Sequence, residues 1–206
     1  MQAITDLIMY FHKGGLVMWP LLACSITVIA IAIERFIYYK SVDSGAAFAS
    51  RYCAAVRSGD FAVATELARK GSGQCAQMLA DVEAIAGGKE EKSAFLESRA
   101  GIFMATLRDK LDYLGIIVTM SPLLGLLGTI VGMIGAFSIF NVEAGAPMAI
   151  TGGIGEALIA TATGLCVAIL SLCAHSYFAH RMDNIITDME QCFSALLEAE
   201  TRRGRS

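Results

Sequence analysis

At 206 residues, 55% hydrophobic and only 17% charged, the chain is too apolar for an ordinary soluble domain and fits a polytopic membrane protein. A net charge of −3, with no face on which Lys and Arg cluster, argues against a nucleic-acid binder. The six cysteines form no Cys-x-x-Cys pair and half of them sit in apolar runs, so they read as small reduced hydrophobes and not as a disulfide framework or metal site.

From the amino end, Ile4, Leu7, Ile8 and Phe11 keep helical spacing against Gln2, Thr5, Asp6 and His12, which predicts an outer interfacial amphipathic helix over 1–15, ended by Gly14-Gly15. Lys13 follows the first apolar residues instead of preceding them, and no small-residue cleavage site closes the run, so no cleavable signal is expected. Leu16–Ile33 is uncharged, carries Trp19 at one end and runs into Glu34-Arg35, Tyr38, Tyr39 and Lys40. Such an aromatic and cationic finish marks an interface, and the first transmembrane helix is set at 16–40.

Residues 41–112 change character to amphipathic helices broken by Gly and Ser, with Phe48, Tyr52 and Val56 on one face, Phe61–Lys70 as a second helix and Gln77–Ala86 as a third. Lys89–Asp112 reads as one long helix with Phe95, Ile102 and Leu107 among Glu, Lys and Arg, continuing unbroken into the second span. That span, 113–142, holds no charge and exceeds the ~20 residues needed to cross the hydrocarbon core. Pro122 either kinks it or marks where an inward extension bends.

A short turn at 143–151 makes the second and third spans antiparallel neighbours, and the third span covers 152–179. Beyond it, 180–206 forms a helix and tail, with Met182, Ile185, Ile186, Met189, Phe193, Leu196 and Leu197 keeping an apolar stripe. Ten of the sixteen Lys/Arg lie in Lys40–Lys110 and four follow Phe178, while the 141–151 connection has none. By the positive-inside rule the amino end is outside and the large loop and tail are cytoplasmic. The expected fold is therefore all-α: three transmembrane helices, N-out and C-in, extending into a cytoplasmic helical bundle.

Glu156 is the one formal charge in Ala144–Phe178. A carboxylate near the bilayer midplane costs about 2.5–3.5 kcal/mol on insertion scales, so it must face protein or water, or be protonated or paired. Thr163 shares its side of the helix, whereas Thr161 lies about 140° round. Thr129, Thr161 and Thr163 either line a water-accessible path or bond their own helix's carbonyls. Gly125, Gly128, Gly132 and Gly135 recur at intervals of three, four and three along one face, the spacing that lets membrane helices pack closely, within a subunit or between subunits. Ser171 and His175 lie one turn apart, but no carboxylate is placed to orient the histidine, and no metal-ligand cluster or carboxylate pair stands in the spans, so an enzyme is not expected.

Ser121–Phe137 (SPLLGLLGTIVGMIGAF) together with Gly153–Gly164 (GIGEALIATATG) resembles the two signature blocks of the ExbB/TolQ/MotA proton-channel family. Met18-Trp19-Pro20-Leu21-Leu22, leading into Glu34-Arg35-Phe36, resembles the first span of ExbB-type members. Flagellar MotA proteins have four spans and three are found here, which favours the ExbB/TolQ branch. The resemblance implies a homopentamer enclosing the single membrane helices of a dimeric ExbD- or TolR-like partner, coupled to a TonB- or TolA-like protein and seated in the lipid of a bacterial inner membrane. It also implies that Glu156, Thr161 and Thr129 are the family's pathway residues, and that no cofactor is used. The role expected from it is a proton-motive-force motor energising TonB-dependent transport across the outer membrane. A TolQ-like subunit of the Tol-Pal envelope system and a non-conducting membrane scaffold are the alternatives.

Overall fold

The computed structural model describes residues 14–85, 87–142 and 147–203. All regular elements in these residues are helical: α1 Met18–Val42, α2 Ala46–Arg57, α3 Phe61–Lys70, α4 Gln74–Glu83, α5 Lys89–Arg108, α6 Leu111–Val142 and α7 Pro147–Arg203. The chain divides into two units, and α1 and α7 contribute to both. The expected amino-terminal interfacial helix, and the turn residues 143–146, lie outside the described residues.

The first unit holds residues up to Ile33 and Lys110–Ser176. α6 and the membrane-length part of α7 run antiparallel along a seam of small residues, as the pairing Gly132 with Gly153, Gly128 with Ala160, Gly125 with Thr161 and Leu114 with Ser171 demonstrates. At 32 residues, α6 is roughly 48 Å long, ample for the hydrocarbon core. It passes through Pro122 as helix. Three helices are long and apolar enough to cross a membrane, and no more than 33% of any such window is buried inside the chain. Ile26, Ile29, Leu123, Ile130, Ile134, Leu158 and Ile169 all point outward, an apolar exterior that water would not tolerate at this extent.

The second unit holds Glu34–Asp109 and the chain from Tyr177. Its core is Tyr52, Leu79, Val82, Leu96, Leu107, Met189 and Cys192. Short helices are delimited by local chemistry. Asp60 Oδ1 accepts the Val63 N–H at 3.2 Å as an N-cap, and Gly59 and Gly73 supply the left-handed turns that the breaks need, at φ 80° and 90°. Ion pairs join Arg181 to Asp43 at 2.6 Å and Lys92 to Glu200 at 2.8 Å. All six cysteines are free thiols, four of them buried.

Three expectations change. The long cytoplasmic helix does not run unbroken into the second span: α5 stops at Arg108, Asp109 is extended at ψ 141°, and Lys110 turns left-handed at φ 66°. Arg35 Nη1 donates to the Thr106 carbonyl at 3.0 Å and Tyr39 Oη to the Leu107 carbonyl at 2.7 Å, satisfying helix-end acceptors that a continuous helix would have used internally. The apolar face of α5 is Leu96, Ala100, Phe103 and Leu107, while Ile102 is 65% exposed. Finally, α7 begins at Pro147, inside the segment expected to be a turn. Proline is at home at a helix's first position, where its missing N–H has no partner to lose.

Candidate functional site around Glu156

Closest approach of α6 and α7 is set by glycine on both sides. A Cβ on Gly128 would lie 2.5 Å from Ala160 Cβ, one on Gly132 would lie 3.0 Å from the Gly153 carbonyl, and one on Gly125 would lie 3.0 Å from Thr161 Cα. From α7, a Cβ on Gly164 would meet the Ser121 carbonyl at 2.5 Å, and one on Gly153 would meet Ala136 Cβ at 2.6 Å. Gly135 differs from the other three: no described atom lies within 4 Å of its Cβ position. At that end of the seam the small α6 residue against α7 is Ala136, which is buried.

The first span joins this seam near the Glu156 level. Val17 Cβ lies 3.7 Å from the Gly128 Cβ position, on which Ala160 also packs, so the three helices meet one turn of α7 away from the carboxylate. Val17, Met18 and Leu21 form a buried cluster there, with Leu124 against it. Glu156 is half-buried at the edge of the buried α7 stripe of Ala157, Ala160, Val167 and Ala168. Its carboxyl packs against Gly15, where a Cβ would clash with Oε1.

The three threonines divide. Thr129 Oγ1 donates to the Leu126 carbonyl at 2.6 Å and Thr163 Oγ1 to the Ile159 carbonyl at 2.8 Å, each within its own helix. Thr161 Oγ1 instead crosses the seam to the Gly125 carbonyl at 3.0 Å. The rotation of about 140° between Thr161 and Glu156 explains the split: the hydroxyl faces α6, the carboxylate faces the start of α1. A hydroxyl that donates its one proton keeps lone pairs for accepting another, so each threonine can receive a bond from water or a protonated carboxyl. Of these four side chains, Glu156 alone carries an ionisable group.

Several residues that shape this seam carry no site role in the sequence reading. Gly153 and Gly164 lie in the block around Glu156, three turns apart on one face, and that spacing was the available signal. Ser121 is fully buried with an Oγ that has no hydrogen-bond partner among the described residues, and Ser171 Oγ donates to the Leu114 carbonyl at 2.9 Å. Gly15 carries no local signal beyond belonging to a Gly-Gly pair.

Residues 70–191 match the family model described as the MotA/TolQ/ExbB proton channel family. The chain is 34% identical over 170 residues to a Synechocystis protein named as biopolymer transport protein ExbB-like 1, covering 79% of this chain and 66% of that protein, just under two thirds of its length. It is 27% identical over 183 residues to biopolymer transport protein exbB1 of Vibrio cholerae, covering 85% of this chain and 80% of the relative. A shorter match, 33% over 84 residues, covers 40% of this chain and 37% of the Tol-Pal system protein TolQ of Haemophilus influenzae.

Proposed function

The chain belongs to the MotA/TolQ/ExbB proton channel family, and from that premise we propose that it is the multi-pass subunit of a proton-driven motor in a bacterial inner membrane, oriented N-out and C-in. In this reading a ring of five copies surrounds the membrane helices of an ExbD-like dimer, and proton passage drives a TonB-like protein to energise transport across the outer membrane. The observation that carries the reading is Glu156: the one carboxylate in the apolar stretch 144–178, half-buried against its own chain beside Gly15. Thr161, Thr129 and Thr163 supply hydroxyls with free acceptor capacity on the same helix pair. Each proton crossing the membrane potential releases about 2.3 kcal/mol per 100 mV, so a few crossings suffice to move one helix set against another. The direct test is proton flux in vesicles holding this chain and its single-span partner. Glu156→Ala at normal abundance is expected to reduce flux by one to two orders of magnitude, the scale on which a displaced proton-transfer group acts. Flux that does not depend on Glu156 removes that residue from the pathway, and the absence of flux above that of protein-free vesicles leaves a scaffold.

The similarity to TolQ proteins supports a second reading, a Tol-Pal subunit paired with TolR- and TolA-like proteins. Deletion in the host separates the two: lost uptake through the outer membrane favours the ExbB role, and a leaky, constriction-defective envelope favours the TolQ role.

A further inference from the structure

Among the described residues no side-chain hydrogen bond or ion pair holds the Glu156 carboxylate, which packs beside the backbone of Gly15. A Cβ at Gly15 would clash with Oε1 and stand 2.9 Å from Cδ and 3.4 Å from Cγ, so the carboxyl end packs against the space that the glycine leaves empty. Gly15 also has φ +71°, a backbone conformation that side-chain-bearing residues rarely adopt. Gly14 is equally confined, since a Cβ there would meet Met18 Cγ and Sδ at 2.6 Å and Ile159 Cγ2 at 3.3 Å. Ile159 is almost one turn from Glu156, so both glycines pack the same stretch of α7. The contact sits at the amino end of α1, where the helix dipole attracts an anion.

We infer that the Gly14-Gly15 turn is a seat built to position the Glu156 carboxylate, with Gly15 as its positioning residue. The proposal rests on the reading of Glu156 as a proton-transfer group and assigns the feature that fixes where that group stands. The seat is provided by the first span while the carboxylate is carried by the third, so their relative register determines the position of the charge.

The test uses the full chain in membranes, with N,N′-dicyclohexylcarbodiimide as probe, because this apolar reagent modifies carboxyl groups at lipid depth and the Glu156 adduct is quantified by mass spectrometry without reference to activity. Gly15→Ala is expected to raise Glu156 labelling severalfold and to lower proton flux roughly tenfold or more, the effect of displacing a reacting group by about 1 Å. Gly15→Asn, which tolerates the left-handed backbone but still carries a Cβ, is expected to act the same way and stands in if the alanine variant does not insert. Gly45→Ala, at φ +82° with nothing within 4 Å, imposes the strain without the contact and should leave labelling unchanged. Combining Gly15→Ala with Glu156→Asp, whose carboxyl is withdrawn by one methylene, should recover part of the flux. Labelling of Glu156 that is the same in the wild type and in both Gly15 variants overturns the seat. Raised labelling with unchanged flux keeps the seat and removes Glu156 from the proton pathway, so the two claims fail separately.

Discussion

The smallest residue governs this protein at the residue scale, and its effect depends on what stands opposite. Gly164 faces backbone: a Cβ there would lie 2.5 Å from the Ser121 carbonyl and 3.1 Å from Gly125 Cα, neither of which can swing away. Gly164→Ala therefore forces α6 and α7 apart, an overpacking cost of about 1–3 kcal/mol. Thermal unfolding of the detergent-solubilised chain should show a lower Tm. Gly135→Ala, facing open space, should leave Tm unchanged or raise it slightly through the better helix propensity of alanine. If Gly135→Ala instead weakens assembly while leaving the monomer's Tm intact, that glycine packs between subunits and not within one. Thr161 illustrates the same dependence on partners, because the bond to Gly125 that holds it across the seam is unavailable to Thr163, two residues on and facing elsewhere.

Among the elements, the joint after α5 is the least expected from sequence. Arg35 is 3% exposed and each of its three guanidinium nitrogens donates, Nη1 to the Thr106 carbonyl and Nε and Nη2 to Glu34 at 2.7 and 2.9 Å, while the group lies 4.8 Å over the Tyr38 ring. Removing a charged donor from a buried acceptor costs about 1.5–3 kcal/mol, and here the loss falls on the end of α5. In Arg35→Ala, amide hydrogen exchange should speed up over Ala105–Asp109 well before it does in the α4 core around Leu79. Uniform acceleration of both segments would mean that Arg35 supports the unit as a whole and not this helix end. Most helices were legible because apolar periodicity and Gly or Asp stops are local signals: Phe61–Lys70 begins after Asp60 and ends before Gly71. The α5 stop was not, since Asp109-Lys110 contains neither glycine nor proline and the groups that end the helix, Arg35 and Tyr39, lie some 70 residues upstream. The buried face of α5 is hard to read from sequence for a related reason: Ala100 is too small to stand out, while the larger Ile102 points outward. In the same way Glu156 was visible as an isolated charge, but the glycine it rests on is 141 positions away and has no side chain to announce it.

For the whole molecule, the exposed apolar exterior of the span-bearing unit decides the environment. With at most 33% of each candidate window buried within the chain, the remaining surface must be covered by lipid or by other subunits. Neither demand fixes which end faces which side, and the proposed orientation rests on the distribution of charge: ten Lys/Arg in Lys40–Lys110 and four after Phe178, against none between 141 and 151. Moving such residues across a membrane is disfavoured, so both cationic segments should stay in the cytoplasm. An epitope tag appended after Ser206 provides the measurement. Added protease should leave the tag intact in sealed spheroplasts and remove it in inverted membrane vesicles. A tag cleaved from the outside of spheroplasts would reverse the orientation, placing the Glu156 end of the seam nearer the cytoplasm. A carboxylate entered from that side would draw on the opposite face of the proton gradient, and the proposed coupling to a partner reaching the outer membrane would lose its physical basis.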